Sequence, residues 1–134
     1  MGATRIAGRA TLVSLMLALA ACGSDSVTNP LFEPEVANLA DNFQFQATAV
    51  SHVSQTVTYN WQNSGTTANV DQSGSVTGGA ATLRIRDAGG NVVYTDDLTS
   101  TGSFTSTTGT SGTWTIQLVL TNVTGNLNFR VQKP

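Results

Sequence analysis

Over most of the chain beyond residue 42, apolar and polar side chains alternate one by one. A period of two is what a half-buried β-strand imposes, because successive side chains leave opposite faces. Phe43, Phe45, Ala47 and Ala49 alternate with Gln44, Gln46 and Thr48; Val57, Tyr59 and Trp61 alternate with Thr58 and Asn60. Ala81, Leu83 and Ile85 alternate with Thr82, Arg84 and Arg86, and Val92 and Tyr94 follow a turn at residues 87–91, DAGGN. Trp114, Ile116, Leu118 and Leu120 alternate with Thr115, Gln117 and, less cleanly, Val119; Leu127, Phe129 and Val131 alternate with Asn128, Arg130 and Gln132. Weaker strands are expected near residues 68–72, 74–77 and 103–106.

Sheets with one greasy face must stack to hide it. The expectation is an all-β, antiparallel β-sandwich of seven or eight strands, immunoglobulin-like or jelly-roll, with a closed barrel as the alternative. A transmembrane barrel is disfavoured, since most runs fall short of the ~9–11 residues a spanning strand needs. Composition agrees. Charged residues make up 10% of the chain, against about 25% in ordinary soluble domains. Threonine, with 21 copies, takes their place, and its branched side chain suits a pleated surface.

The N-terminus reads differently. Arg5 and Arg9 precede an apolar run over residues 10–21, broken only by Thr11 and Ser14 and ending in small residues. That is the layout of an export signal, and it is too short to cross a bilayer. The single cysteine, Cys22, stands directly after it. Residues 23–34, GSDSVTNPLFEP, have no periodicity and read as a linker. After Pro34, a good first helical residue, residues 35–40 (EVANLA) are expected to form one or two helical turns closed by Asp41-Asn42. The expected division is thus 1–21 signal, 22–41 anchor and flexible tether, and 42–134 β-sandwich.

Leu19-Ala20-Ala21-Cys22 resembles the lipobox of bacterial lipoproteins. The resemblance implies diacylglyceryl transfer to the Cys22 sulfur, cleavage before it, acylation (palmitate-type) of the new amine, and a cell-envelope location held by lipid. Gly23, rather than Asp, follows the cysteine; in the enteric-type sorting pattern that implies the outer membrane. Ordinary cleavage after Ala20 is the competing reading, because Ala18-Leu19-Ala20 also fits a small-x-small site. Two further stretches resemble secreted β-domains. Residues 83–94, LRIRDAGGNVVY, are similar to a hairpin of bacterial Ig-like domains, including the FlgD type. Residues 111–133 are similar to the last hairpin of pre-peptidase C-terminal-type jelly rolls, with Gly112, Trp114, Ile116 and Gly125 at the matching places. These resemblances imply fold more than function.

Reactive constellations are sparse. A catalytic triad needs a base and an orienting carboxylate. His52 is the only histidine, and it sits where the alternation changes phase, which suits a loop or bulge. No Gly-x-Ser-x-Gly elbow is present. Asp96 and Asp97 are adjacent, so on a strand they face opposite ways, which is wrong for a carboxylate pair in one cleft. Zinc would need several His or Cys ligands. Calcium needs six to eight oxygens, and Asp87, Asn91, Asp96 and Asp97 are the weak candidates; turn chemistry explains the same residues. Trp61 and Trp114 could stack on sugars, but both are in phase with the apolar face, as are Tyr59 and Tyr94. Residues 105–113 (TSTTGTSGT) read as a polar loop, and Asn122-Val123-Thr124 as a turn.

Without the signal, the chain carries Arg84, Arg86, Arg130 and Lys133 against eight acidic residues, a net of −4. That balance offers no basic patch for nucleic acid. The expected protein is therefore a non-enzymatic binding or structural module of the envelope, with no cofactor, meeting an envelope protein or a glycan. A carbohydrate-binding module, with or without calcium, is the alternative. Few lysines guard the strand edges, so pairing with another chain is open to it.

Overall fold

A computed structural model of the chain describes residues 32–134. The expected signal, Cys22 and the first part of the tether lie outside the described residues. The described chain contains no helix. It runs as seven strands, β1 Glu35–Leu39, β2 Asn42–Asn63, β3 Asn69–Gln72, β4 Ser75–Arg86, β5 Val92–Asp97, β6 Gly102–Thr105 and β7 Gly112–Gln132. All pairings are antiparallel.

Two strands are exceptionally long, and they explain the architecture. β2 has 22 residues and β7 has 21. A straight strand of that length would reach roughly 70 Å. Yet the amide of Asp41, just before β2, donates to the carbonyl of Gln62 near its far end at 2.8 Å. The strand therefore doubles back. It bends where the β2–β7 register slips, between Ala47 and Gln55 on one strand and Leu120 and Leu127 on the other. Bulges re-aim a strand by inserting extra residues, and here they bring left-handed backbone at Ala49, His52 and Asn122, with φ near +50° at each. On the neighbouring strand β4, Gly79 has φ +72° and lies so close to Asn122 that any Cβ would fall 2.1 Å from its carbonyl oxygen.

The bend turns one continuous sheet into two layers, the corner-by-bulge construction of orthogonal sandwiches. The first layer holds β1, the 42–47 half of β2, the 127–132 half of β7, β3 and β6. The second holds the 55–63 half of β2, the 112–120 half of β7, β4 and β5. The facing sides form the core. Phe43, Phe45, Leu127, Phe129 and Val131 come from the first layer, and Trp61, Leu83, Ile85, Trp114, Ile116 and Leu118 from the second, all at most 1% exposed. Val50, Val53 and Val123 fill the bend. Phe43 and Phe45 meet Tyr59 of the same strand at 5.3 and 6.1 Å between ring centroids, one layer against the other. Each fully buried side chain of this size contributes about 1.5–3 kcal/mol of hydrophobic stabilisation.

Polar contacts fasten the rim. Gln72, almost fully buried, accepts from the Tyr94 hydroxyl at 2.6 Å and donates to the carbonyls of Asp97 and Ser100, tying β3 to β5. Trp61 Nε1 donates to the Leu39 carbonyl and Trp114 Nε1 to that of Thr110, so neither indole buries an unmet donor. The Asp41 carboxylate accepts from the amide and hydroxyl of Ser64, which hold its pKa below the usual value, with nearby Lys133 adding to the effect.

The all-β sandwich follows from the alternation, and the Asp87 turn joins β4 to β5 where the sequence places it. Three expectations are corrected. Residues 35–40 are not helical: β1 takes the edge of β2, because five residues make too short a helix to stand alone, whereas a neighbouring strand offers each backbone group a partner. The anticipated last hairpin is a single strand, β7, that passes straight through Gly125. Asn122-Val123-Thr124 is accordingly a bulge within β7 rather than a turn.

Candidate functional site

Where strands alternate, the face turned from the core is the one free to meet a ligand. On the first layer that face carries amides and charges from four adjacent strands. Register places Glu35 of β1 beside Gln46 of β2, and Gln46 beside Asn128 of β7. The next row is Ala37, Gln44, Arg130 and Asp71 of β3. Together with Ser73 they line a shallow groove of about 400 Å³.

The second row is fixed by hydrogen bonds. With its amide oxygen turned toward Arg130, Gln44 accepts from Nε at 2.9 Å and from Nη2 at 3.1 Å. Asp71 Oδ1 accepts from the Ser103 hydroxyl at 2.6 Å on β6. The guanidinium is thereby tied to β2 and register sets Arg130 opposite Asp71, while Gln46 and Asn128 stand exposed in the first row. Such a face offers donors and acceptors in a fixed array.

The residues singled out from the sequence lie elsewhere. His52 is exposed on the β2 bulge, its Nδ1 3.0 Å from the Asn122 amide oxygen and its backbone amide donating to Thr124 Oγ1. Its partner is an amide rather than an orienting carboxylate. Asp87 and Asn91 share the β4–β5 turn, whereas Asp96 and Asp97 stand at the other end of β5, roughly 16 Å along the strand. The four calcium candidates therefore form no single cluster. Asp87 is buried, and its carboxylate accepts from the amides of Thr110, Asn91 and Gly89 at 2.8–3.0 Å. Those bonds, led by Thr110, hold its pKa below the usual carboxylate value and clamp the turn to residues 106–111. Asp96 accepts from the Asp97 amide and from the hydroxyls of Tyr94 and Ser100. Burial, then the Asp96 charge, pushes the Tyr94 phenol well above its usual pKa; burial alone raises Tyr59. Among the described residues no three of His, Cys, Asp and Glu come together as a metal site would require.

Trp61 and Trp114 are both fully buried, their rings perpendicular at 5.9 Å. Neither can stack on a sugar. The groove residues were missed because each is merely the polar half of an alternating strand. The signal was present in Gln44, Gln46, Asn128 and Arg130, but only the β2–β7 register brings them side by side.

No family model matches the chain, and no curated protein matches its sequence. Solved structures give distant likenesses. The glycosylation-associated protein (Gap123) complex from Streptococcus agalactiae matches at 13% identity with a TM-score of 0.39, over 74% of this chain and 38% of that one. The accessory secretory proteins 1, 2 and 3 of Streptococcus pneumoniae match at 8% identity and TM-score 0.38, over 78% and 88%. An arabinose-bound MgGH51 α-L-arabinofuranosidase matches at 13% and 0.32, over 77% and 23%. This chain thus spans well under half of the first and third.

Proposed function

We propose that this chain is a lipid-anchored envelope protein that binds without catalysis, through the outer face of its first layer. Cys22 carries the lipid, the linker holds the domain off the headgroups, and the groove over β1, β2, β7 and β3 meets the ligand. The observation that supports this reading is the fixed polar array of Gln44, Arg130 and Asp71, flanked by Glu35, Gln46 and Asn128. Preformed donors and acceptors on rigid strands bind at low ordering cost. The array suits a hydroxyl- and amide-rich partner such as an envelope glycan strand or a polar protein surface, bound edge-on rather than by ring stacking.

The anchor and the groove are tested separately. Metabolic labelling with an alkyne fatty acid is expected to mark the wild type and not Cys22→Ser; an unmarked wild type removes the anchor. Pull-down of purified envelope fractions is expected to retain a ligand with the wild type and to lose it with Arg130→Ala plus Gln44→Ala, both on the surface. Equal retention by wild type and variant overturns the groove assignment.

A further inference from the structure

We infer that the chain pairs with a second copy of itself along the open edge of β2, between Gln55 and Tyr59. In the second layer β2 is the outermost strand: β7 lies on one side of it, and among the described residues no strand lies on the other. The direction of its backbone groups follows from two hydrogen bonds. The carbonyls of Asn60 and Gln62 point away from β7, to the Asn38 side chain and the Asp41 amide respectively. In an antiparallel strand both backbone groups of a residue point the same way and the direction alternates. Thr56 and Thr58 therefore turn their N–H and C=O outward along this edge, where no described residue bonds to them.

An edge of this kind is normally guarded by lysine, proline or a bulge. This one has none. The register with β7 is regular from Gln55 to Asn63, and residues 42–70 contain no Asp, Glu, Lys or Arg. Neutrality argues for the occupant. A two-fold antiparallel pair sets the edge against a copy of itself, residue i facing j and j facing i, so an edge charged along its length would meet the same charge again. Here threonine meets threonine. Thr56 and Thr58 of each copy would exchange backbone hydrogen bonds with Thr58 and Thr56 of the other, and the half-exposed Val57 and Tyr59 would gain cover. The first-layer edge is different: β1 is five residues long, and a two-fold pair centred on Ala37 would set the Glu35 carboxylate against the exposed apolar Leu39.

This inference goes beyond the groove and needs neither the groove nor the lipid. The test is sedimentation equilibrium of the purified protein in mild detergent over a concentration series. The wild type is expected to show a reversible monomer–dimer equilibrium. Thr58→Lys, an exposed substitution that places two ammonium groups across the junction, is expected to halve the mass while circular dichroism stays unchanged. Thr56→Lys gives the same reading should Thr58→Lys fail to fold. Ala37→Lys on the β1 edge is expected to behave as wild type. A wild type that stays monomeric at its highest soluble concentration overturns the inference. So does a dimer that survives a folded edge variant, or one that Ala37→Lys dissolves.

Discussion

Gly79 and Gly90 share a left-handed backbone, at φ +72° and +84°, in opposite surroundings. An added Cβ at Gly90 would meet nothing within 4 Å. At Gly79 it would fall 2.1 Å from the Asn122 carbonyl oxygen and 2.4 Å from that of Thr121, both backbone. Alanine at either site carries the left-handed penalty of about 1–2 kcal/mol. At Gly79, β4 must also lift from β7, between the pairs Gly78–Thr124 and Ala80–Thr121. Losing about two ladder hydrogen bonds at ~1 kcal/mol each adds about 2 kcal/mol. For a domain of this size each kcal/mol shifts Tm by about 4–8 °C, so Gly79→Ala should melt roughly 8–16 °C below Gly90→Ala. Differential scanning calorimetry of the two variants isolates the close approach, because the backbone penalty cancels. Equal melting temperatures would refute the claim that contact between β4 and the β7 bulge holds the bend.

Two predictions concern pH. The fold lowers the Asp87 pKa below its ordinary 3.8, so the carboxylate stabilises the native state fully above that value and less as pH falls through the lowered one. The Tm gap between wild type and Asp87→Ala should be constant near neutrality and narrow as the pH falls below 3.8; a gap that does not narrow at all in acid counts against the three-amide clamp. Tyr59 and Tyr94 both have raised pKa values, so stability held by their neutral phenols is complete below pH 10 and is lost as pH climbs through the folded values. Phenolate absorbance should develop above pH 10 in the native protein and near 10 after denaturation, and Asp96→Asn should bring the native titration closer to 10; coincident native and denatured curves would contradict the burial described.

Alternation showed most of the residues that enter the core, because burial follows parity, but parity fails beside the bulges: Ala49 and Val92, expected on the apolar face, are exposed, and Val50 and Val93 are buried instead. Phe43, Phe45, Trp61, Trp114, Ile116, Leu127 and Phe129 were all readable from it. Continuity was harder to see. Ala47, Val50 and Val53 are spaced by three, as are Leu120 and Val123, and such spacing reads as a break between strands. In space it marks bulges, since nothing in those stretches forces the chain to leave its partner. β1 was obscured for another reason: residues 35–39 have no alternation of their own, and only the edge of β2 makes a strand of them. The groove lay beyond sequence reasoning because Gln44 and Arg130 stand 86 positions apart, joined by a pairing that local pattern does not encode.

β7 lies at the centre of both layers, bonded to β2 along one flank and to β3 and β4 along the other. It is also the last of the seven described strands in chain order. Until residues 112–132 leave the ribosome, only the pairs β1–β2, β3–β6 and β4–β5 can form, and the three pairings that join them into one sheet await β7. Closure by distant parts of a chain is slow, so the two layers cannot close on each other until β7 has been made.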